Sequence, residues 1–369
     1  MATRRQLLFG TALGGGLTPV LMACSSGKSE QDAAHALRQP ATLMPGDVAA
    51  LRRELVRFAT LAPSSHNTQC WRFQVQDKAI VIAPDWSRRC PAVDPDDHHL
   101  FVSLGCAAEN LVQAALAHGL KSNAFFNTGS DTKGSIVCSL EPTKAVKSPL
   151  FQAIAERQST RVDYDGKPLT NDELHLLERA GTGDGVSVRL LTARPAMESV
   201  LEYLVAGNTL QMNDAAFVAE LTSWIRFDTD EALRTGDGLF TGTSGNPVVP
   251  RWLGSPMMHL FFTAKSENEK YARQVRNSAG LAVFVSEKND KTHWVEAGRC
   301  YERFALQATA LGIRNTFLNQ AVEVAAVRTQ FASWLGLQAS NQRPDLVVRF
   351  GRGRATPLSM RRPVSAVLI

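Results

Sequence analysis

The sequence predicts an α+β protein of two tandem, pseudo-symmetric halves within its 369 residues. Helical and strand-like patterns alternate along the chain, and a short repeat relates the two halves. In that repeat the residue numbers of each matched pair differ by 193. The first members are Gly105, Glu109, Ala115, Ala117 and Gly119, and they match Gly298, Glu302, Ala308, Ala310 and Gly312. The halves are expected at residues 46–147 and 148–369.

In the first half, residues 47–60 place apolar side chains on one helical face. Residues 72–76 and 79–83 have the composition and alternation of strands. The Ala-rich stretch from Leu100 to His118 predicts a long helix that ends at Gly119. Residues 135–140 predict the closing strand.

The second half predicts the same plan with one large addition. The expected helices cover residues 149–156, 171–179 and 294–311 and a segment from Glu323, and the expected strands cover 187–192, 280–285 and 346–350. The addition, at about residues 196–270, is rich in aromatic residues and glycine. Long insertions of this kind favour a lid over a pocket, and a packed peripheral pair of helices is the alternative.

Composition bounds the class of partner. The chain is 44% hydrophobic and 20% charged, which is typical of a globular protein. A formal net charge of +5, without a basic stripe interleaved with aromatic residues, does not favour nucleic acid as a partner.

The first 24 residues predict an export signal. Arg4 and Arg5 precede a moderately apolar, Gly-rich stretch, which resembles a twin-arginine signal. Leu21-Met22-Ala23-Cys24 resembles a lipobox, so we expect lipidation of Cys24 and a membrane anchor. Residues 25–45 are expected to be a flexible tether. The expected location is the periplasmic or cell-surface side, reached by the twin-arginine route.

Two motifs carry the chemistry. One is Ala62-Pro63-Ser64-Ser65-His66-Asn67-Thr68-Gln69-Cys70-Trp71, and the other is Arg157-Gln158-Ser159-Thr160-Arg161. Together they resemble the nitroreductase family, in which Arg-x-Ser-x-Arg grips the FMN phosphate and Ala-Pro-Ser-x-x-Asn-x-Gln-Pro-Trp reaches the flavin ring. Within the family, the likeness is to the fused, Acg-type FMN-binding subgroup. That likeness extends to Asp94-Pro95-Asp96-Asp97, Arg343-Pro344-Asp345 and Arg361-Arg362-Pro363.

The resemblance implies a nitroreductase-like fold with FMN as cofactor. It assigns the phosphate to Arg157, Ser159, Arg161, Arg361 and Arg362, because guanidinium forks suit a dianion. It assigns the flavin ring to Ser64, Ser65, Asn67 and Gln69, and one ring face to Thr316. The flavin N5 carries the hydride, so no protein side chain is expected to be catalytic. Cys70 stands where the family usually has Pro, and Gln158 stands where it more often has Arg.

The two motifs occur in reversed order, and each half lacks what the other supplies. The first half has no Arg-x-Ser-x-Arg before its helix, and the second half has Gly181-Thr182-Gly183 where Ser, Asn and Gln are expected. We therefore expect a dimer fused into one chain, with a single FMN and a monomeric pseudo-dimer.

The expected activity is hydride transfer through FMN to a nitroaromatic or quinone-type acceptor. The electron donor is left open, because nicotinamides are scarce outside the cytoplasm. Two alternatives therefore stay open, a non-catalytic flavin-sequestering protein and a redox protein fed by a membrane donor. No metal site is expected, because the adjacent side chains of Asp96-Asp97-His98-His99 would diverge at the start of a helix.

Overall fold

The computed structural model describes residues 29–128, 134–337 and 341–369. The expected export signal, including Cys24, lies outside the described residues, as do residues 25–28 of the expected tether. The architecture is α+β, as the sequence predicts.

The first half contains a four-stranded antiparallel sheet with the strand order β1-β2-β5-β4. Its elements are α1 (Glu30–Ala36), α2 (Val48–Thr60), β1 (Trp71–Val75), β2 (Ala79–Pro84), α3 (His98–Ala117), β3 (Leu120–Lys121), β4 (Ala124–Asn127), β5 (Ser135–Ser139) and β6 (Glu141–Pro142). The short strands β3 and β6 pair separately. Strand β4 was not predicted.

The second half contains a sheet of the same antiparallel order, β7-β10-β12-β11. Its elements are α4 (Pro149–Ala153), α5 (Asn171–Ala180), β7 (Val186–Leu191), α6 (Arg194–Met212), α7 (Ala215–Trp224), β8 (Ile225–Arg226), α8 (Thr229–Thr235), β9 (Leu239–Phe240), α9 (Arg251–Phe261), α10 (Ala264–Arg276), β10 (Gly280–Ser286), α11 (Lys291–Ala310), β11 (Arg314–Phe317), α12 (Gln320–Glu323), α13 (Ala325–Trp334) and β12 (Arg343–Gly351).

Helices α3 and α11 form the contact between the two halves. Each has 20 residues, and their first and last residues differ by the same 193 positions as the sequence repeat. The hydrophobic core runs through this contact without a break, from Phe101 and Leu104 in α3 to Tyr301 and Phe304 in α11. The halves therefore share one core.

The chain also crosses between the halves at its ends. The N–H of Phe73 in β1 donates to Val367 O at 2.8 Å, and the N–H of Ile369 donates to Phe73 O at 3.0 Å. Within the second half, the N–H of Thr160 donates to Asn315 O at 3.0 Å beside β11. The first sheet thus receives backbone from the C-terminal end of the second half.

The flexible tether expected at residues 25–45 is wrong in part, because residues 30–36 form helix α1. Ser29 and Asp32 form a capping box that starts α1. Ala34 is buried against Leu358 and Met360 near the C-terminus. Because this short helix has both a cap and an apolar face to bury, it packs on the body instead of forming a free linker.

The insert has two structural roles. Val200 and Leu204 of α6 pack against Val283 and Val347 in the second sheet, so this part belongs to a core. Other insert residues reach the space between the halves. By length and composition, one helix of the described residues, α3, could cross a membrane, and 83% of that stretch is buried inside the protein.

Candidate functional site

A cavity of about 220 Å³ lies between the two halves and contains part of both sequence motifs. The loop after α2 contributes Ser64 and Ser65, and the segment after α4 contributes Arg161. Thr316 in β11 lines the cavity as well. The structure thus brings together four of the ten side chains expected to bind FMN.

The loop that carries Ser64 has an unusual backbone. His66, Asn67 and Gln69 all have positive φ, at 49°, 54° and 54°. Residues other than glycine rarely adopt this backbone conformation, and each instance costs of order 1–3 kcal/mol. The Ser64 side chain stabilises the loop, because its Oγ accepts the N–H of Gln69 at 2.9 Å.

Arg161 is a cation at the cavity wall that forms no ion pair or side-chain hydrogen bond within the described ranges. The residue is half-buried. Burial lowers the pKa of Arg161, although a guanidinium stays protonated at neutral pH. A charge that is partly withdrawn from water and has no paired carboxylate is costly, so this position suits an anionic ligand.

Asn67 and Gln69 do not line the cavity, contrary to the expectation. Asn67 Nδ2 donates to Gly238 O at 3.0 Å, and Gln69 Nε2 donates to Gly236 O at 2.8 Å. Gln69 Oε1 accepts the N–H of Arg362 at 2.8 Å. Both amides are therefore used to hold the insert and the C-terminal segment against the loop.

Arg157 and Ser159 also lie outside the cavity wall. The Arg157 side chain is buried, and its Nε is 3.3 Å from Glu302 Oε1. Arg157 thus lies beside a buried carboxyl group of the protein instead of the cavity, and burial raises the pKa of that Glu302 carboxyl to about 7. Ser159 forms a backbone bridge with Asn315, which places Arg161 two residues further along at the cavity.

The C-terminal arginines have structural partners instead of the expected phosphate. Arg361 Nε donates to Thr60 O at 2.7 Å, and its Nη2 donates to Leu61 O at 3.0 Å and Ala62 O at 3.1 Å. These carbonyls end α2, so the cation caps the negative end of a helix. Arg362 Nη2 donates to Ala366 O at 2.9 Å.

Several cavity residues were not predicted from the sequence. They are His66, His99, Asn208, Gln211, Tyr271, Gln274 and Glu323. His66 falls inside the first motif and could have been included on that basis. The others come from helices that no local pattern connects to the motifs.

Burial controls the titration of these groups. The pKa of His66 is lowered to about 4, mainly by burial and to a smaller extent by nearby Arg161 and His99. Burial also lowers the pKa of His99 and raises that of Tyr271. At neutral pH the cavity therefore presents an uncharged His66 beside a charged Arg161.

The cluster Asp94, His98 and His99 is more compact than the sequence suggests. These side chains are buried, and their potential ligand atoms lie within 4.8 Å of one another. The two carboxylate oxygens of Asp94 accept the N–H groups of His99 and Leu100 at 3.0 and 2.9 Å. His98 Nε2 contacts Asp345 Oδ1 at 2.8 Å. These contacts give the cluster a structural role at the start of α3.

The space in the second half that corresponds to the cavity is filled. The loop after α5 corresponds to the loop after α2, because each connects a helix to the first strand of its sheet. A Cβ atom on Gly183 in that loop would lie 2.3 Å from Glu296 Oε1 and 2.7 Å from Arg303 Nη2. Arg303 Nη1 also donates to Glu109 Oε2 at 3.0 Å.

The repeat explains this difference between the halves. Glu296, Arg299 and Arg303 in α11 correspond by the shift of 193 to Ser103, Cys106 and Asn110 in α3. Ser103 and Cys106 are small and line the cavity. Long charged side chains thus occupy one side of the α3–α11 pair, and short ones leave room on the other.

Comparisons with known proteins agree with the motifs. No family model matches the chain. A Mycobacterium tuberculosis protein named "Putative NAD(P)H nitroreductase" is 24% identical over 332 residues, which are 86% of this chain and 90% of that protein. Another from the same organism, "Putative NAD(P)H nitroreductase acg", is 22% identical over 339 residues, 89% of this chain and 97% of that protein.

Solved structures with partial likeness include two nitroreductases with bound FMN. The Bacteroides fragilis structure is 16% identical, covers 56% of this chain and 89% of its own, and has a TM-score of 0.34. The Desulfitobacterium hafniense structure is 15% identical, covers 59% and 94%, and has a TM-score of 0.37. These TM-scores are too low to establish a shared fold by themselves. The full-length similarity to the two mycobacterial proteins supports the nitroreductase family for this chain.

Proposed function

We propose that this protein is an FMN-dependent oxidoreductase with one FMN in the cavity between its halves. The observation that carries the proposal is Arg161, a cation at the cavity wall that pairs with no carboxylate of the described residues. The similarity to proteins named as NAD(P)H nitroreductases supports it along 86–89% of the chain.

The cavity residues fit the parts of FMN. Arg161 would hold the anionic phosphate end. Ser64 and Ser65 offer hydroxyl and backbone donors to the polar edge of the ring. Val102, Phe317 and Leu346 supply an apolar wall for its faces. Arg361 is less suited than the sequence implied, because its donors already contact backbone carbonyls. Arg157 and Arg362 do not line the cavity, although each keeps a buried donor without a hydrogen-bond partner.

When bound, FMN would supply the redox chemistry by accepting a hydride and passing it to an electrophilic acceptor, such as a nitroaromatic or a quinone. The protein residues would bind and orient it. At neutral pH the imidazole of His66 is uncharged, so it adds no second positive charge beside Arg161. The apolar wall would limit the access of water to the bound ring.

We further propose that the chain is a fused dimer that retains one site. Three features support this origin, namely the shared strand order, the constant shift of 193 and the equal lengths of α3 and α11. The filled counterpart around Arg303 supports a single FMN per chain. We propose that the protein works as a monomer for the same reason.

The N-terminal motifs support a location on the outer side of a membrane. Arg4 and Arg5 favour export by the twin-arginine route, and Leu21 to Cys24 favours a lipid anchor. That route carries folded proteins, which suits a cofactor acquired in the cytoplasm.

One observation favours a second candidate, a protein that stores flavin or takes electrons from a membrane donor. Phe217, Leu221, Leu239 and Phe262 of the insert line the cavity. An apolar cover of this kind would restrict the approach of a nicotinamide to the ring. The expected lid is thus one of the roles we assign to the insert.

The first experiment is the visible spectrum of the purified chain from residue 25 onward, with released flavin identified and counted. One FMN per chain is expected. Arg161→Ala should lose most of it, whereas Arg273→Ala should retain it, because Arg273 is exposed and pairs with Asp163 at 3.2 Å. Two FMN per chain would refute the single site, and full occupancy in Arg161→Ala would refute the phosphate assignment.

Stopped-flow reduction separates the two candidate functions. Bleaching of the flavin by NADPH within seconds would support the oxidoreductase. A flavin that only dithionite reduces would favour storage or a membrane donor. The measurement uses protein with full FMN occupancy, so that a loss of cofactor is not mistaken for a slow reaction.

A further inference from the structure

Helix α9 exposes a large apolar face on the insert. Trp252 is 76% exposed, Leu260 is 70% exposed and Phe261 is 63% exposed. Leu253 on the same helix is 39% exposed. At about 100° per residue, Leu253 and Leu260 lie on one side of the helix, with Trp252 at one edge of that side and Phe261 at the other. Exposed apolar side chains spread over one side of a helix mark a contact surface.

Contacts at the edge and at the start of α9 fix the helix to the protein. Gly254, at the same edge as Phe261, lies against Phe227, where a Cβ atom would come within 2.3 Å of the ring. Arg251 Nη2 donates to Glu231 Oε1 and to Ile225 O, each at 2.6 Å. Because these contacts set the rotation of the helix, the apolar face cannot turn inward without breaking them.

This face lies near the end of the chain that carries the expected lipid. Ala33 of α1 and Leu233 of α8 pack against one small apolar cluster, so α1 lies beside α8. Glu231 of α8 in turn holds Arg251 at the start of α9. Cys24 precedes Ser29 by five residues, which can span at most about 18 Å. A lipid on Cys24 would therefore keep a membrane close to α8 and α9.

We propose that the exposed face of α9 inserts into the interfacial layer of the membrane that carries the Cys24 lipid. This inference rests on the anchoring proposed above. A lipid on a flexible linker holds a protein at the membrane but leaves its orientation to the membrane free. A second contact, made by a helix fixed to the protein, would determine that orientation. Trp, Leu and Phe on one side of a helix are typical of interfacial helices.

The charges of the segment agree with a lipid surface as the occupant. Residues 251–261 contain no Asp or Glu, whereas Arg251 begins the helix and exposed Lys265 follows it. An anionic lipid headgroup would be attracted by these cations and not repelled by any acid of the helix. Because Arg251 shares its charge with Glu231, exposed Lys265 supplies the main part of this attraction.

The test is flotation of the chain from residue 25 to 369 with vesicles of phosphatidylcholine and phosphatidylglycerol. This chain contains every described element and lacks the lipidated cysteine, so α9 is tested alone. The wild-type chain should float with the vesicles. The triple variant Trp252→Ser, Leu260→Ser, Phe261→Ser should partition at least tenfold less.

The matched control is Phe125→Ser, which removes an aromatic side chain that is 54% exposed on β4. It should partition like the wild type. If the triple variant does not fold, Leu260→Ser alone should still reduce partitioning about threefold. A wild-type chain that stays in solution, or a triple variant that floats equally well, would overturn the proposal.

Self-association is the competing explanation for the face. A dimer that forms without vesicles and disappears in the triple variant would overturn the membrane contact in favour of a second copy. The FMN content of each sample is recorded in parallel. Vesicle binding by a protein without FMN would support the membrane contact and refute the proposed cofactor. A protein that contains FMN but does not bind vesicles would support the cofactor and refute the membrane contact.

Discussion

Gly105 and Gly298 lie at matching positions in two helices that press their backbones together. A Cβ atom on Gly105 would lie 2.0 Å from Val295 O, and a Cβ atom on Gly298 would lie 2.0 Å from Val102 O. The two contacts are equivalent under the shift of 193, since Val102 corresponds to Val295. The spacing of α3 and α11, and with it the space between the halves, therefore depends on the absence of both side chains.

Gly298→Ala should lower the free energy of unfolding by about 2–3 kcal/mol, because the new methyl group must push the helices apart. The gain in helix propensity of about 1 kcal/mol is smaller than this cost. Urea denaturation followed by circular dichroism measures the change. Gly312→Ala is the control, because nothing lies within 4 Å of that position and only its φ of 70° opposes a side chain. Equal stability of Gly298→Ala and the wild type would contradict the close contact.

Arg361→Ala should destabilise the fold by about 2–4 kcal/mol, because it leaves the carbonyl groups at the end of α2 without their donor. Arg161→Ala should lose FMN but keep its melting temperature in the absence of FMN. Thermal unfolding of the FMN-free proteins distinguishes the two roles. Arg352→Ala serves as a control, since this arginine is partly exposed and pairs with Glu173. Unchanged stability of Arg361→Ala would contradict its role as the donor to these carbonyl groups.

The contrast between these arginines shows what the sequence could predict. The motifs predicted that Arg161 and Arg361 bind the phosphate. Arg161 lies at the cavity, whereas Arg361 donates to the carbonyl groups at the end of α2. Their partners could not be predicted, because Arg361 meets residues 60–62 only after the whole chain has folded. The helix α3 was predicted nearly to its ends, since its Ala-rich stretch and Gly119 are local signals.

The insert shows the limit of such local signals. Its aromatic residues suggested a lid, yet the pattern did not distinguish Phe217, which lines the cavity, from Trp252, which faces outward. Tyr271 was also missed, because its place at the cavity follows from the packing of α10 on α6. Side chains of one type take different roles when tertiary contacts decide which face of a helix is covered.

Cys70 should be chemically inert although it follows the loop of the candidate site. The thiol is 2% exposed, and burial raises its pKa to about 12. Ellman's reagent at pH 8 should therefore leave Cys70 unlabelled in the folded protein and label it in urea. Cys70→Ala should leave the flavin spectrum unchanged. Rapid labelling of the folded wild type that is lost in Cys70→Ala would contradict the burial of this thiol.

His66 should make the fold sensitive to acid. Its pKa is lowered to about 4 in the folded protein, from an ordinary value of 6.5. Between these values the unfolded chain binds the proton more readily, so stability should fall as the pH drops from about 6.5 through 4. The shift corresponds to no more than about 3 kcal/mol. His66→Asn should reduce this dependence, since Asn tolerates the positive φ of 49° and does not titrate. Denaturation at pH 7 and pH 4.5 measures the slope, and the buried His98 and His99 supply the same background in both proteins. An identical slope in His66→Asn would show that His66 is not the group whose protonation destabilises the cavity.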